Sequence, residues 1–344
     1  MTNFSKIIVI TTINEKTSGI AEFEKFDDWH LVIVGDKKSK SIPNNESLTF
    51  LSWEEQLELG YEYARICPWN HYARKNVGYL HAFNMGAKVI FDTDDDNIPY
   101  NQRWREPEFT CKRRVSGKSK FINIYSYFTD EHIWPRGLPL DEIHSGKLEN
   151  EEIDQPVNIG IWQGLADDDP DVDAIYRLIF GKKIRFLEKE PVSLASGTYS
   201  PFNSQNTFWL DSVFPMMYLP ATVSFRSTDI YRGYIAQRLM WQLKYYLGYL
   251  GATVYQERNA HDLMADFRDE WECYSNIKGL INILDETALT GDLTSGMQII
   301  YSNLYKKNFI LKGELKMVDA WLADMHTIID RKSDLAVGTV SNGK

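Results

Sequence analysis

Four carboxylates, Asp92, Asp94, Asp95 and Asp96, fall within five positions, directly behind the compact apolar run Val89, Ile90 and Phe91. Such a run reads as a short interior strand. Upstream, Val77, Leu80, Phe83 and Ala87 fall at helical spacing, and Gly86 supplies the turn between the two elements. A helix feeding a buried strand belongs to a parallel α/β sheet, where ligands gather at the carboxyl ends of the strands. Carboxylates packed this densely repel one another unless a cation or a solvated loop relieves them. Mn²⁺ or Mg²⁺, held by one or two carboxylates plus substrate phosphates, meets that need. So does a solvated Asp-Asn turn.

Earlier strands support the α/β reading. Residues 6–13 and 29–35 are strongly apolar, residues 48–51 less so, and a helical pattern covers residues 53–64. Alternating strands and helices with acidic strand ends predict a doubly wound, mostly parallel sheet. Neither a Gly-x-Gly-x-x-Gly fingerprint nor a Walker lysine is present, so a dinucleotide-type or P-loop site has no support. Asp36 closes the second strand, as a partner for ribose or base or as a simple turn residue.

Between residues 98 and 155 the periodicity loosens around Pro99, Pro107, Pro135 and Pro139, and residues 121–127 read as the clearest strand there. Arg136 sits in a stiff Pro-bounded loop, suited to phosphate or carboxylate recognition or simply solvated. Residues 158–165 read as a strand entering a glycine turn. The acidic run 167–173 then caps a helix over 174–180, with one or two carboxylates available to a sugar. A polar loop from residue 198, ending at Asn206, leads into another apolar strand. Asp229 opens an aromatic helix drawn to about residue 250, either as a cap or as an oriented general base. A last short strand spans 253–256. His261 follows it, as a structural residue or a ligand. Helices are expected over 263–284 and 295–329, the latter interrupted near 309–313, before a polar tail.

A net charge of -10 argues against broad nucleic-acid binding, which needs a basic surface. The three cysteines are far apart and form neither a disulfide framework nor a zinc spacing, which suits a reducing cytosol. No run approaches a membrane span and no leader pattern opens the chain, so a cytoplasmic protein is expected. Peripheral contact at the inner face of a membrane stays open. With 10 Trp, 19 Tyr and 17 Phe, faces for stacking a base or sugar are plentiful.

Taken together, these stretches resemble the GT-A glycosyltransferases, specifically the STELLO-type branch. More distantly they are similar to the reversibly glycosylated polypeptides, or UDP-arabinopyranose mutases. Residues 73–80, 86–96, 134–140, 160–165 with 169–174, the helix beginning near Asp229, and 259–262 carry the resemblance. It implies an α/β GT-A fold: a Rossmann-like, mostly parallel central sheet flanked by helices over residues 1–262, with a donor half to about residue 100 and an acceptor half beyond it. A helical extension over 263–330 and a flexible tail over 331–344 complete the expectation. The implied activity is metal-dependent, inverting transfer of a sugar from a nucleotide-diphosphate donor to a glycan or lipid-linked glycan hydroxyl, in cell-surface polysaccharide synthesis. Asp94, Asp96 and His261 are the implied Mn²⁺ or Mg²⁺ ligands in the register that the mutases suggest, while the STELLO-type register runs from Asp92 to Asp95. Thr11, Asn14, Asp36, Arg74, Lys75, Asn76, Asp92, Asp94 and Asp95 are implied to face the donor, and Trp162, Asp173 and Asn206 the acceptor. Asp229 is the implied base, and Arg74, Lys75 or Arg136 would add positive charge against the leaving diphosphate. A ring-form mutase and a non-catalytic regulator with the same fold are the alternatives.

Overall fold

Near-continuous Ile, Val and Leu runs form β1 (Lys6–Thr11), β2 (His30–Val34) and β3 (Leu48–Leu51), covered on both faces as central parallel strands are. The computed structural model describes residues 4–144, 148–257 and 262–341. With β4 (Val89–Thr93), these strands make a parallel quartet in the order β3-β2-β1-β4. The strands that follow are β5 (Asn97–Pro99), β6 (Thr110–Ser116), β7 (Glu149–Asp167), β8 (Val192–Leu194), β9 (Asn206–Leu210) and β10 (Tyr245–Gln256). β9 runs antiparallel to both β4 and β7, and so joins the quartet to the second half of the sheet. In that half β7, β6, β8 and β10 close into a ring, because β10 also pairs in parallel with β7. The fold is the expected α/β architecture, here with a mixed sheet whose parallel part is concentrated in the first four strands.

Register places the acidic run. Val9 pairs with Asp92, so the end of β1 lies level with Asp94 and Asp95. Two glycines let other elements close on this edge. A Cβ on Gly78 would lie 2.5 Å from Val34 and 2.7 Å from Val9, so only glycine lets the Lys75–Asn84 helix pack against β1 and β2. A Cβ on Gly19 would meet the backbone oxygens of Asn97 and Asp95 at 2.4 and 2.9 Å, so the Ser18–Phe23 helix presses on the acidic loop.

Several expected elements differ. Residues 121–127 are not a strand: Phe121 makes one isolated bridge to Tyr199, and Tyr125–Phe128 is a helical turn. Here apolar density was mistaken for strand period. The aromatic helix stops at Met240, and left-handed Lys244 (φ 57°) turns the chain into the 12-residue β10. Gly248 and Gly251 disfavour a helix there, and Tyr245, Tyr246, Tyr249, Val254 and Tyr255 favour a strand. The helix expected over 263–284 is broken into Leu263–Asp269, Trp271–Ser275 and Ile277–Glu286.

Two buried acids fasten the C-terminal helices. Glu314 accepts from the Tyr218 hydroxyl and from the Ala221 and Thr222 amides, and Asp324 accepts from the Glu62 and Tyr63 amides at 2.9 and 2.8 Å. The Lys312–Ser341 helix runs through most of the stretch expected to be a tail. Among the described residues, no helix is long and apolar enough to cross a membrane.

Candidate functional site

A cleft of about 500 Å³ opens at the carboxyl ends of β1, β2 and β4. One wall carries Thr11, Thr12, Asn14, Asp36 and His71. Asp94, Asp95 and Asp96 form the floor, and the far wall carries Arg136, Asp171, Asn203, Phe225 and Asp229. Open α/β sheets place ligands at this edge.

Each floor carboxylate has its own environment. Asp94 Oδ1 accepts from the Tyr72 hydroxyl at 2.7 Å and from Lys75 Nζ at 3.2 Å. Asp95 Oδ2 accepts from Thr12 Oγ1 at 2.5 Å and Asn14 Nδ2 at 3.0 Å, which ties the floor to the end of β1. Asp96 Oδ2 accepts from Gln256 Nε2 at 2.8 Å, while its Oδ1 is buried with no hydrogen-bond donor. Burial, and then the neighbouring charge of Asp94, push the Asp96 carboxyl up to about 7. Burial also raises Asp94, with Lys75 and Tyr72 opposing it. A buried carboxylate oxygen without a donor, beside a second carboxylate, is the donor set a hard cation lacks only phosphates to complete. The described residues contain no cluster of three or more His, Cys, Asp or Glu set to hold a metal. His261, implied as a third ligand, lies outside the described residues.

The far wall is built on one guanidinium. Arg136 donates Nε and NH2 to Asp171 at 2.8 Å each, and NH1 and NH2 to Asp229 at 3.1 and 2.9 Å. Its remaining donor goes to the Arg226 carbonyl. All five N–H groups are therefore committed to protein acceptors. Asp171 also accepts from Asn203 Nδ2 at 2.7 Å. Burial would raise Asp171, but Arg136 outweighs it and holds the carboxyl below its ordinary range. The expectation that Arg136 meets the leaving phosphate directly is corrected: it organises two carboxylates instead.

Other expected site residues prove structural. Asp92 and Lys75 are fully buried and paired at 2.7 Å, and Asp92 also meets Arg232 at 2.9 Å. Asn76 bonds Tyr63 and the backbone of Leu219. Arg74 borders the cleft, but its guanidinium serves Gln56 and the carbonyls of Ala64 and Cys67. Trp162 is in the core with its Nε1 on the Glu108 carbonyl, and Asp173 caps the Ala174–Ile179 helix while accepting from Trp134. Asn206 is buried against Leu165 and Thr253. None of Lys75, Asn76, Asp92, Trp162, Asp173 and Asn206 lines the cleft; they are polar or aromatic groups whose partners lie within the fold.

Thr11, Asn14, Asp36, Asp94, Asp95, Asp96, Arg136 and Asp229 do come together. Sequence reasoning missed Tyr72, Thr12, Asp171, Asn203, Gln205, Phe225 and Gln256. Thr12 was legible as the neighbour of Thr11 at a strand end, and Asp171 as a member of the second acidic run. Only the folded chain brings Tyr72, Gln205 and Gln256 to the acids.

Residues 226–339 match the family model described as STELLO glycosyltransferases. The chain is 30% identical to the probable glycosyltransferase STELLO2 of Arabidopsis thaliana, over 93% of this chain and 44% of that protein. It is 29% identical to the probable glycosyltransferase STELLO1 of the same plant, over 93% and 44%. The chain thus spans less than half the length of these relatives. Glucosyl-3-phosphoglycerate synthase from Mycobacterium tuberculosis, solved in complex with phosphoglyceric acid, aligns at 10% identity over 90% of this chain and 81% of that one, with a TM-score of 0.38.

Proposed function

From a chain that is STELLO-like over 93% of its length, we propose an enzyme that moves a sugar from a nucleoside-diphosphate donor onto a glycan hydroxyl. The observation that carries this reading is the donor-free Asp96 Oδ1 beside Asp94 at the strand-end cleft. In this reading Asp94 and Asp96 would hold Mn²⁺ or Mg²⁺, which would supply positive charge against the departing diphosphate. Thr11, Asn14 and Asp36 face the nucleoside.

Asp229 removes the proton from the acceptor hydroxyl. Its oxygen then attacks the anomeric carbon as the bond to the diphosphate oxygen breaks, inverting that centre. The shared guanidinium suits this step. When Asp229 takes the proton and becomes neutral, Arg136 keeps Asp171 as its counter-ion, so no buried cation is left alone.

The test is a thermal-shift screen of nucleoside diphosphates with and without Mn²⁺, since a ligand of the native state raises its midpoint. The expected result is a shift that needs both components. Equal midpoints across the whole set would overturn the reading.

A further inference from the structure

Two exposed aromatic side chains, Phe225 and Trp271, lie on segments that are tied to each other beside the cleft. Phe225 is 56% exposed and lines the cleft, and Trp271 is 61% exposed next in the chain to Glu270, the partner of cleft-lining Arg226. The segments that carry them are tied together. The Ser224 amide donates to Glu272 Oε2 at 2.8 Å and its hydroxyl to the Asp269 carbonyl, while Arg226 pairs with Glu270. Phe225 is backed edge-on by Tyr72 at 5.6 Å, and the Tyr72 hydroxyl holds Asp94. The Trp271 indole has no hydrogen bond or ring contact among the described residues. An exposed tryptophan of this kind has a large apolar face and an N–H donor still to satisfy.

We propose that Phe225 and Trp271 are successive stacking faces for an acceptor that is a chain of sugars, with its reacting end over Phe225 and the next units over Trp271. This rests on the sugar-transfer reading and narrows its acceptor to an oligosaccharide. A sugar ring presents an apolar C–H face inside a rim of hydroxyls. Here flat rings are set among exposed Arg268 and Asp269 and the half-buried Glu272, which can meet that rim. Asp229, which also lines the cleft, follows Phe225 by four residues in the chain.

Direct binding tests the track apart from catalysis. Methyl glycosides of one to four gluco-, manno- and galacto-configured units would be titrated into the full chain, followed by saturation-transfer NMR, without donor. For at least one series, affinity is expected to rise with length. Trp271→Ala should remove roughly three- to tenfold of that gain while leaving the one-unit ligand unchanged, and Trp271→Phe should restore most of it. Phe225→Ala should weaken every length. Both positions are exposed, so melting temperatures should match wild type. The track is overturned if no series gains affinity with length, or if the alanine variants bind all lengths as wild type does. It is overturned too if the variants lose binding to phosphatidylcholine vesicles and no sugar binds. Length-dependent binding with no nucleotide-dependent midpoint shift would sink the transfer reading and leave the track standing.

Discussion

Arg136 meets Asp229 edge to edge, NH1 to Oδ1 at 3.1 Å and NH2 to Oδ2 at 2.9 Å, with both side chains at most 10% exposed. The contact fastens the Pro-bounded loop to the first turn of the Thr228–Met240 helix. Asp229→Asn keeps the shape but cannot take a proton, so transfer should fall about 10²- to 10⁴-fold. The Mn²⁺-dependent midpoint shift with nucleotide should persist. Turnover near wild type would remove Asp229 from the base role.

Arg136→Lys tests the other partner. A lysine is a point charge and cannot lie along two carboxylates at once. Leaving buried Asp171 and Asp229 poorly paired should cost about 3 kcal/mol in urea denaturation. A loss under 1 kcal/mol would mean the pair adds little to stability.

Asp96→Asn addresses the cation. The amide can keep the Gln256 contact but offers no second carboxylate oxygen to a metal. Calorimetry should show Mn²⁺ affinity, with nucleoside diphosphate present, reduced at least about tenfold, since even groups that only support a metal ligand cost that much when removed. The metal-free protein should melt no lower than wild type, because one of two crowded carboxylates has gone. Unchanged Mn²⁺ affinity would exclude Asp96 as a ligand.

The acidic edge could be read from sequence because strand period and strand end are local properties: Val89, Ile90 and Phe91 announce the strand, and the aspartates follow it. The roles of neighbouring charges could not. Lys75 and Asp92 look like site residues on paper, yet in the interior they pair with each other, and Asp92 pairs with Arg232 as well. Whether a polar group faces a ligand or a protein partner depends on contacts made across long sequence separations, such as Gln256 to Asp96. The Lys244 turn escaped for a different reason. The helix before it and β10 after it are both rich in Tyr and Leu, so apolar content alone did not show where one ended.

Lys75→Met follows from that interior network. Lys75 and Asp92 are fully buried at 2.7 Å, and Arg232 would be left as the one ion-pair partner of Asp92 among the described residues. Removing one side of a buried pair typically costs about 3–5 kcal/mol, and the surviving arginine places the expected loss near the lower end. Chemical denaturation checks it. A loss below 1 kcal/mol would show that Arg232 alone balances Asp92.

His81, on the Lys75–Asn84 helix, has a buried Nδ1 with no partner, and burial, then proximity to His30, push its ring down to about 4. The folded state therefore disfavours the protonated ring, whereas the unfolded chain takes up its proton near the ordinary value of 6.5. The stability that the neutral ring confers is fully present above 6.5 and is lost as pH falls from there toward 4. Between pH 7.5 and 5 the loss should be about 2 kcal/mol, at 1.36 kcal/mol per unit of pH below the unfolded value. His81→Leu carries no proton in either state, so its urea-denaturation free energy should fall less over the same range, by about that amount. Parallel pH profiles for the two proteins would show that the ring is protonated equally easily in both states.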